Sequence, residues 1–163
     1  MTTGTAAIET GSAASGFRNA KLGPGSGTAS QTLTISNSAS RAFLSFSYKS
    51  SAGFLTGVSC TIRDGSGNFL VTALSTTGSQ TTWRNVTVDV SRFKGQTVQV
   101  RFASSGGIFG DSTMWVDDVS IKEGETVWVD DAAATMTLRS ADDAAGVDFS
   151  SYQIAGGSWV VYS

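Results

Sequence analysis

The chain has 163 residues, enough for one domain that on folding buries roughly two-thirds of its unfolded surface and needs no disulfide or metal to hold a core. Serine and threonine supply 45 residues and glycine 19, against one proline and 15% charged residues, a balance that favours strands and turns over long helices. The net charge is −2 and histidine is absent, which removes Ser-His-Asp and Cys-His catalysis, His-ligated zinc and an imidazole pH switch together.

The opening residues, MTTGTAAIETGS, show neither a basic start nor an apolar stretch of signal-peptide length, and no later run is long enough to span a bilayer. The expectation is a soluble chain without an export signal. KLGPGSGTAS (21–30) lacks the lysine and hydroxyl residue of a phosphate-cradling loop and precedes a strand, so it reads as a surface loop. Leu33 and Ile35 then alternate with polar residues, as do Ala42, Leu44, Phe46 and Tyr48, and Val58, Cys60 and Ile62; each set marks one face of a strand. DGSGN (64–68) is a glycine-rich turn leading into FLVTAL, which makes 58–74 a β-hairpin. Cys60, the single cysteine, forms no intrachain disulfide and reads as a buried thiol.

Val86, Val88 and Val90 alternate in RNVTVDV; its NVT sequon lies within a strand and is set aside. SRFKG reads as one helical turn begun by Ser91 and stopped by Gly95. Val98, Val100 and Phe102 alternate next, with Gln99 and Arg101 facing the other way. TMWVDDVSI, TVWVD, TMTLR and WVVY follow. Ten or so short strands with polar outer faces predict an all-β antiparallel sandwich whose core includes Leu33, Ile35, Leu44, Phe46, Val58, Ile62, Val86, Val88, Val98, Val100, Val119 and Ile121.

Charge is unevenly placed: residues 1–116 sum to +5 and residues 117–163 to −7. A solvated acidic rim and complementary docking between subunits or onto a partner explain this equally well. The basic residues are scattered singly, which argues against nucleic-acid binding.

AIETG (7–11), ASQTLTIS (29–36), LSFSYKSS (44–51), WRNVTVDVSRFKGQTVQVRF (83–102) and MWVDDVSI (114–121) occur in the order and approximate spacing of jelly-roll carbohydrate-binding modules and their MAM-like relatives, which residues 5–123 resemble. The resemblance implies two antiparallel sheets packed face to face, a structural calcium ion and no catalytic machinery. It leaves residues 124–163 as a C-terminal β extension beyond a module ending at 123.

On a regular strand Trp115, Asp117, Val119 and Ile121 share one face and Val116, Asp118 and Ser120 the other, so the adjacent carboxylates cannot converge on one bond as a glycosidase pair. Asp117, placed beside Val119 and Ile121, needs a partner. The resemblance implies a calcium site shared with Glu9, oxygen ligands suiting that ion; bonds to backbone amides explain the residue equally. The second WVDD, at 128–131, reads as a tryptophan over a sheet edge followed by solvated acids, with KEGE (122–125) turning the chain between the two copies.

Sugar recognition by such modules rests on exposed planar aromatics, for which Trp83, Trp115, Trp128, Trp159 and Tyr48 are candidates, each weighed against a core role. Three function classes stand in this order: a structural or decoration subunit of an extracellular assembly such as a phage virion, attached through Trp159, Val160, Val161 and Tyr162 to other subunits or copies of itself; a carbohydrate-binding module of a secreted hydrolase or adhesin, bound to cell-surface glycan; and an enzyme, for which no residue constellation exists. The first two place the chain outside the cell or on a virion surface.

Overall fold

The computed structural model describes residues 2–108, 110–125, 136–143, 146–154 and 160–162. It divides into two compact units, Met1–Thr126 and Val127–Ser163. The first unit contains strands β1 (Thr2–Thr10), β2 (Arg18–Thr34), β3 (Ala39–Ser51), β4 (Val58–Asp64), β5 (Phe69–Thr76), β6 (Gln80–Asp89), β7 (Thr97–Ser104), the short pair β8 (Gly106–Gly107) and β9 (Gly110–Asp111), and β10 (Thr113–Glu125). A single 3-10 turn, Ser91–Phe93, occupies the predicted helical turn. No helix among the described residues is long and apolar enough to cross a membrane.

Hydrogen bonds run along the path β5-β4-β7-β2-β10-β3-β6, with β1 beside β2, and every pairing is antiparallel. β2 is the hinge of this path. Its first part pairs with β10 through Ala20, Lys21 and Leu22, whereas Gly27–Thr34 pairs with β7. The chain thus passes from one layer of a sandwich to the other within a single strand, and KLGPGSGTAS is that crossing rather than a surface loop. Glycines make the bend possible: Gly23 has φ +97, and a Cβ there would strike the Ser112 carbonyl. Loop-like composition and a strand corner share the same requirement for glycine.

The alternating apolar residues meet between the layers. Leu22, Leu44, Phe46, Met114 and Val116 come from one side, and Val58, Cys60, Ile62, Val98, Val100 and Phe102 from the other; all are buried. Phe46 and Phe102 pack edge to face across the interior with centroids 5.1 Å apart. Burying side chains of this size contributes on the order of 2 kcal/mol each relative to exposure. Of the predicted core, Leu33, Val86, Val88 and Ile121 are partly buried, while Val119 is 49% exposed.

Val119 departs from expectation because β10 carries a bulge. Asp117 pairs with Ser47, but the next pair is Ser120 with Ser45, so Asp118 and Val119 together oppose one residue of β3. Asp118 takes φ +51, a left-handed conformation that aspartate tolerates better than most residues. The extra residue reverses the alternation. Asp117 stays outside with Trp115, and Ile121, paired with Leu44, turns inward. Residues 122–125 continue β10 against Phe43, Ala42, Arg41 and Ala39, so KEGE is strand and not a turn.

In the second unit, β11 (Met136–Asp143), β12 (Gly146–Ile154) and β13 (Val160–Tyr162) form an antiparallel sheet in that order. The second WVDD, with Trp128, and Trp159 lie outside the described residues.

Candidate functional site

A row of side chains crosses the outer face of the layer β1-β2-β10-β3-β6. Strand register sets Lys21 beside Trp115 and Trp115 beside Lys49, because residues opposite one another in a ladder project to the same face. Trp83 of β6 stands beyond Lys49. The Lys49 ammonium lies 5.0 Å from the centre of the Trp83 ring system and 5.2 Å from that of Trp115, and Lys21 Nζ lies 5.5 Å from Trp115. Both tryptophans are half-buried. Each ammonium–indole contact contributes about 0.5–1 kcal/mol at such a surface.

Glu9 of β1 fixes one end of the row. Its Oε1 accepts from Lys21 Nζ at 3.0 Å and its Oε2 from the Trp115 indole N–H at 2.7 Å. The Lys21 bond, followed by the indole bond, holds the Glu9 carboxyl below the usual carboxylate range. This contact also fixes the orientation of Trp115. Lys21–Glu9 is the only ion pair among the described residues; the Glu9 charge also acts on Lys49, without a direct contact.

The β1–β2 loop, residues 11–17, is strapped to the same face. Lys49 Nζ donates to the Ser12 hydroxyl at 2.8 Å and to the Ser12 carbonyl at 3.4 Å. The amides of Ala14 and Ser15 donate to Asp117 Oδ2 at 2.8 and 3.2 Å, and Asp117 Oδ1 accepts from the Asp118 amide at 2.8 Å. The Ser15 hydroxyl bonds Asp118 Oδ1. Contrary to the expectation for a regular strand, the two adjacent carboxylates therefore do converge, because the bulge turns Asp118 toward its neighbour. Their common target is Ser15 of the chain's own loop.

The bulge also removes the apolar surroundings foreseen for Asp117, which lies on the polar outer face. Glu9 is occupied by an ammonium and an indole N–H, Asp117 by three backbone N–H groups, and no cluster of three or more His, Cys, Asp or Glu suited to a metal exists among the described residues. Beside Asp117 and Asp118 the sequence reading missed Asn19, 3% exposed, whose Oδ1 and Nδ2 have no hydrogen-bond partner among the described residues, in a recess shared with Arg18 and Ile8. A cation serves the oxygen and strands the amide N–H; a water serves both.

Tyr48 does not join the row. It is 8% exposed and packs inward against Phe46, with ring centroids 6.5 Å apart, as its place in the alternation with Leu44 and Phe46 requires. The larger recess, ≈ 560 Å³, opens between the layers among Leu33, Leu44, Val100, Phe102, Val116 and Ile121. Ser30, Gln31, Thr34, Ser120 and Glu123 add polar groups to these apolar walls.

Solved structures of similar fold include the family 61 carbohydrate-binding module TmCBM61 in complex with β-1,4-galactotriose, at TM-score 0.54 and 16% identity over 76% of this chain and 87% of that chain. The CBM22-1 xylan-binding domain of Paenibacillus barcinonensis Xyn10C also matches at TM-score 0.54 and 16% identity, over 78% of this chain and 86% of that one. A family 16 carbohydrate-binding module gives TM-score 0.53 and 13% identity, covering 72% and 85%. No protein-family model and no curated protein matches the sequence. The chain has the jelly-roll β-sandwich fold of carbohydrate-binding modules.

Proposed function

We propose that this protein is a non-catalytic carbohydrate-binding protein, acting outside the cell, whose binding surface is the outer face bearing Trp83, Lys49 and Trp115. The single observation that carries the reading is the placement of two half-buried indoles on either side of one lysine, on a sheet face that also carries Ser45, Ser47, Asn85 and Thr87. Indole planes supply the flat apolar surface on which the C–H face of a pyranose packs, and Lys49, Lys21 and Glu9 supply directional hydrogen bonds. The solved modules of the same fold, one in complex with β-1,4-galactotriose and one a xylan-binding domain, support the assignment to carbohydrate as a class. Affinity electrophoresis of the full chain through gels containing galactan, xylan, glucan or acidic polysaccharides tests it. At least one polysaccharide should retard the chain, and Trp83→Ala or Trp115→Ala should relieve the retardation. A chain unretarded by every polysaccharide would refute the reading.

A second reading, attachment to a larger extracellular assembly through residues 127–163, is supported by one observation. Among the described residues Val160–Tyr162 bonds β12 on one side only, and so ends its sheet with an edge to which a further strand can add. Light scattering of the full chain and of the chain lacking 127–163 tests it: self-association should be present in the first and absent in the second. A monomeric full chain excludes the self-assembling form of this reading.

A further inference from the structure

Among the described residues the Lys49 ammonium makes no ion pair, and the Glu9 carboxylate acts on it only at longer range. Glu9 neutralises Lys21, and the Asp117 carboxylate is turned to the amides of Ala14 and Ser15. An ammonium has three N–H donors, of which the Ser12 carbonyl and hydroxyl take two. One donor remains, on a cation set between the faces of Trp83 and Trp115. The indoles exclude water from two sides of the ammonium, so its attraction for an anion is less screened than that of an ordinary surface lysine.

Resting on the carbohydrate reading above, we propose that the preferred ligand is an acidic saccharide, with the carboxylate of a uronic-acid residue bonded to Lys49 Nζ while the sugar ring lies against the Trp115 or Trp83 indole. The chemistry of the row is complementary to such a sugar and not merely to sugars in general. A neutral pyranose presents only hydroxyls, which bond as well to water as to a lysine. A uronate presents one charged group and one apolar ring face, and the row offers a cation flanked by two apolar planes. Charge-assisted bonds of this kind are the stronger ones, and their geometry fixes which sugar residue occupies the cation.

Isothermal titration of the full chain with uronic-acid polysaccharides, each in its free-acid form and with its carboxylates methyl-esterified, and with neutral galactan and xylan, tests the proposal. At least one free-acid polymer should bind, with affinity about tenfold or more above its methyl ester, the margin of one charge-assisted hydrogen bond. Raising the salt concentration should weaken the free-acid form and leave the ester unchanged. Lys49→Met should lower affinity for the acid form to that of the ester, and Lys49→Arg, which keeps the charge, should retain most of it; matching thermal melts establish that both variants fold. Equal binding of acid and ester, or binding of neutral polymers alone, overturns this proposal and leaves the carbohydrate reading standing. Binding of no polymer of either kind overturns both.

Discussion

The indole N–H of Trp115 donates to Oε2 of Glu9 at 2.7 Å, joining the last strand of the sandwich to the first. Because the other Glu9 oxygen holds Lys21, one carboxylate sets the position of both a ring and a cation in the row.

Acid should therefore loosen this end of the site. Glu9 titrates below its ordinary value of 4.5, so its bonds contribute stability that is present above about that pH and lost as the pH falls through the lower folded value. Asp64, held down by the Asn68 side chain, and Asp89, held down by the Ser91 side chain, act in the same direction and the same acid range. Thermal melts from pH 6 to pH 3 should show a falling Tm. Glu9→Gln should have a lower Tm at pH 6 and a shallower decline, and parallel curves would contradict the role given to Glu9.

Asp117 should act as the clasp of the β1–β2 loop. Asp117→Ala removes the acceptor for the amides of Ala14 and Ser15, whose hydrogen exchange should accelerate while that of β3 and β7 stays slow. The same carboxylate bears on the calcium question. With its oxygens given to N–H donors, calcium and chelator should leave Tm unchanged, whereas a Tm that climbs with calcium concentration would show the loop opening to admit the ion.

Gly23 should tolerate no side chain. Gly23→Ala places a Cβ against the Ser112 carbonyl at a φ of +97, and should cost on the order of 2–4 kcal/mol. Gly67→Ala, at φ +89 with open space around it, should cost only about 1 kcal/mol. Denaturant melts of the two variants separate packing from backbone conformation; equal losses would place the whole cost in φ.

The Cys60 thiol, fully buried, is pushed up to about 12 by desolvation. It should resist alkylation at pH 8 in the folded protein and react at once in denaturant. Rapid modification without denaturant would contradict the packing of β4.

The alternation of Leu44, Phe46 and Tyr48, of Val58, Cys60 and Ile62, and of Val98, Val100 and Phe102 made the interior legible, because a sheet with one buried face writes its period into the sequence. That rule also held for Tyr48 where the appeal of an aromatic ring for sugar binding did not. It failed at Asp118–Val119, since a bulge leaves no mark except an aspartate able to take positive φ. Trp83 and Trp115 were legible as candidates but not as neighbours. Their meeting over Lys49 depends on the register of β10, β3 and β6, which no local pattern states. Asn19 gave no signal at all.

The central claim is that carbohydrate lies on the Trp83–Lys49–Trp115 row, and the indole N–H resonances of the full ¹⁵N-labelled chain test it most directly. Trp83→Phe and Trp115→Phe assign two of the four indole signals, and a bound oligosaccharide is then titrated in. The structure predicts that these two signals shift together, with one dissociation constant, and move more than the remaining two. Saturating binding that leaves both unmoved would place the carbohydrate elsewhere on the protein and contradict the site.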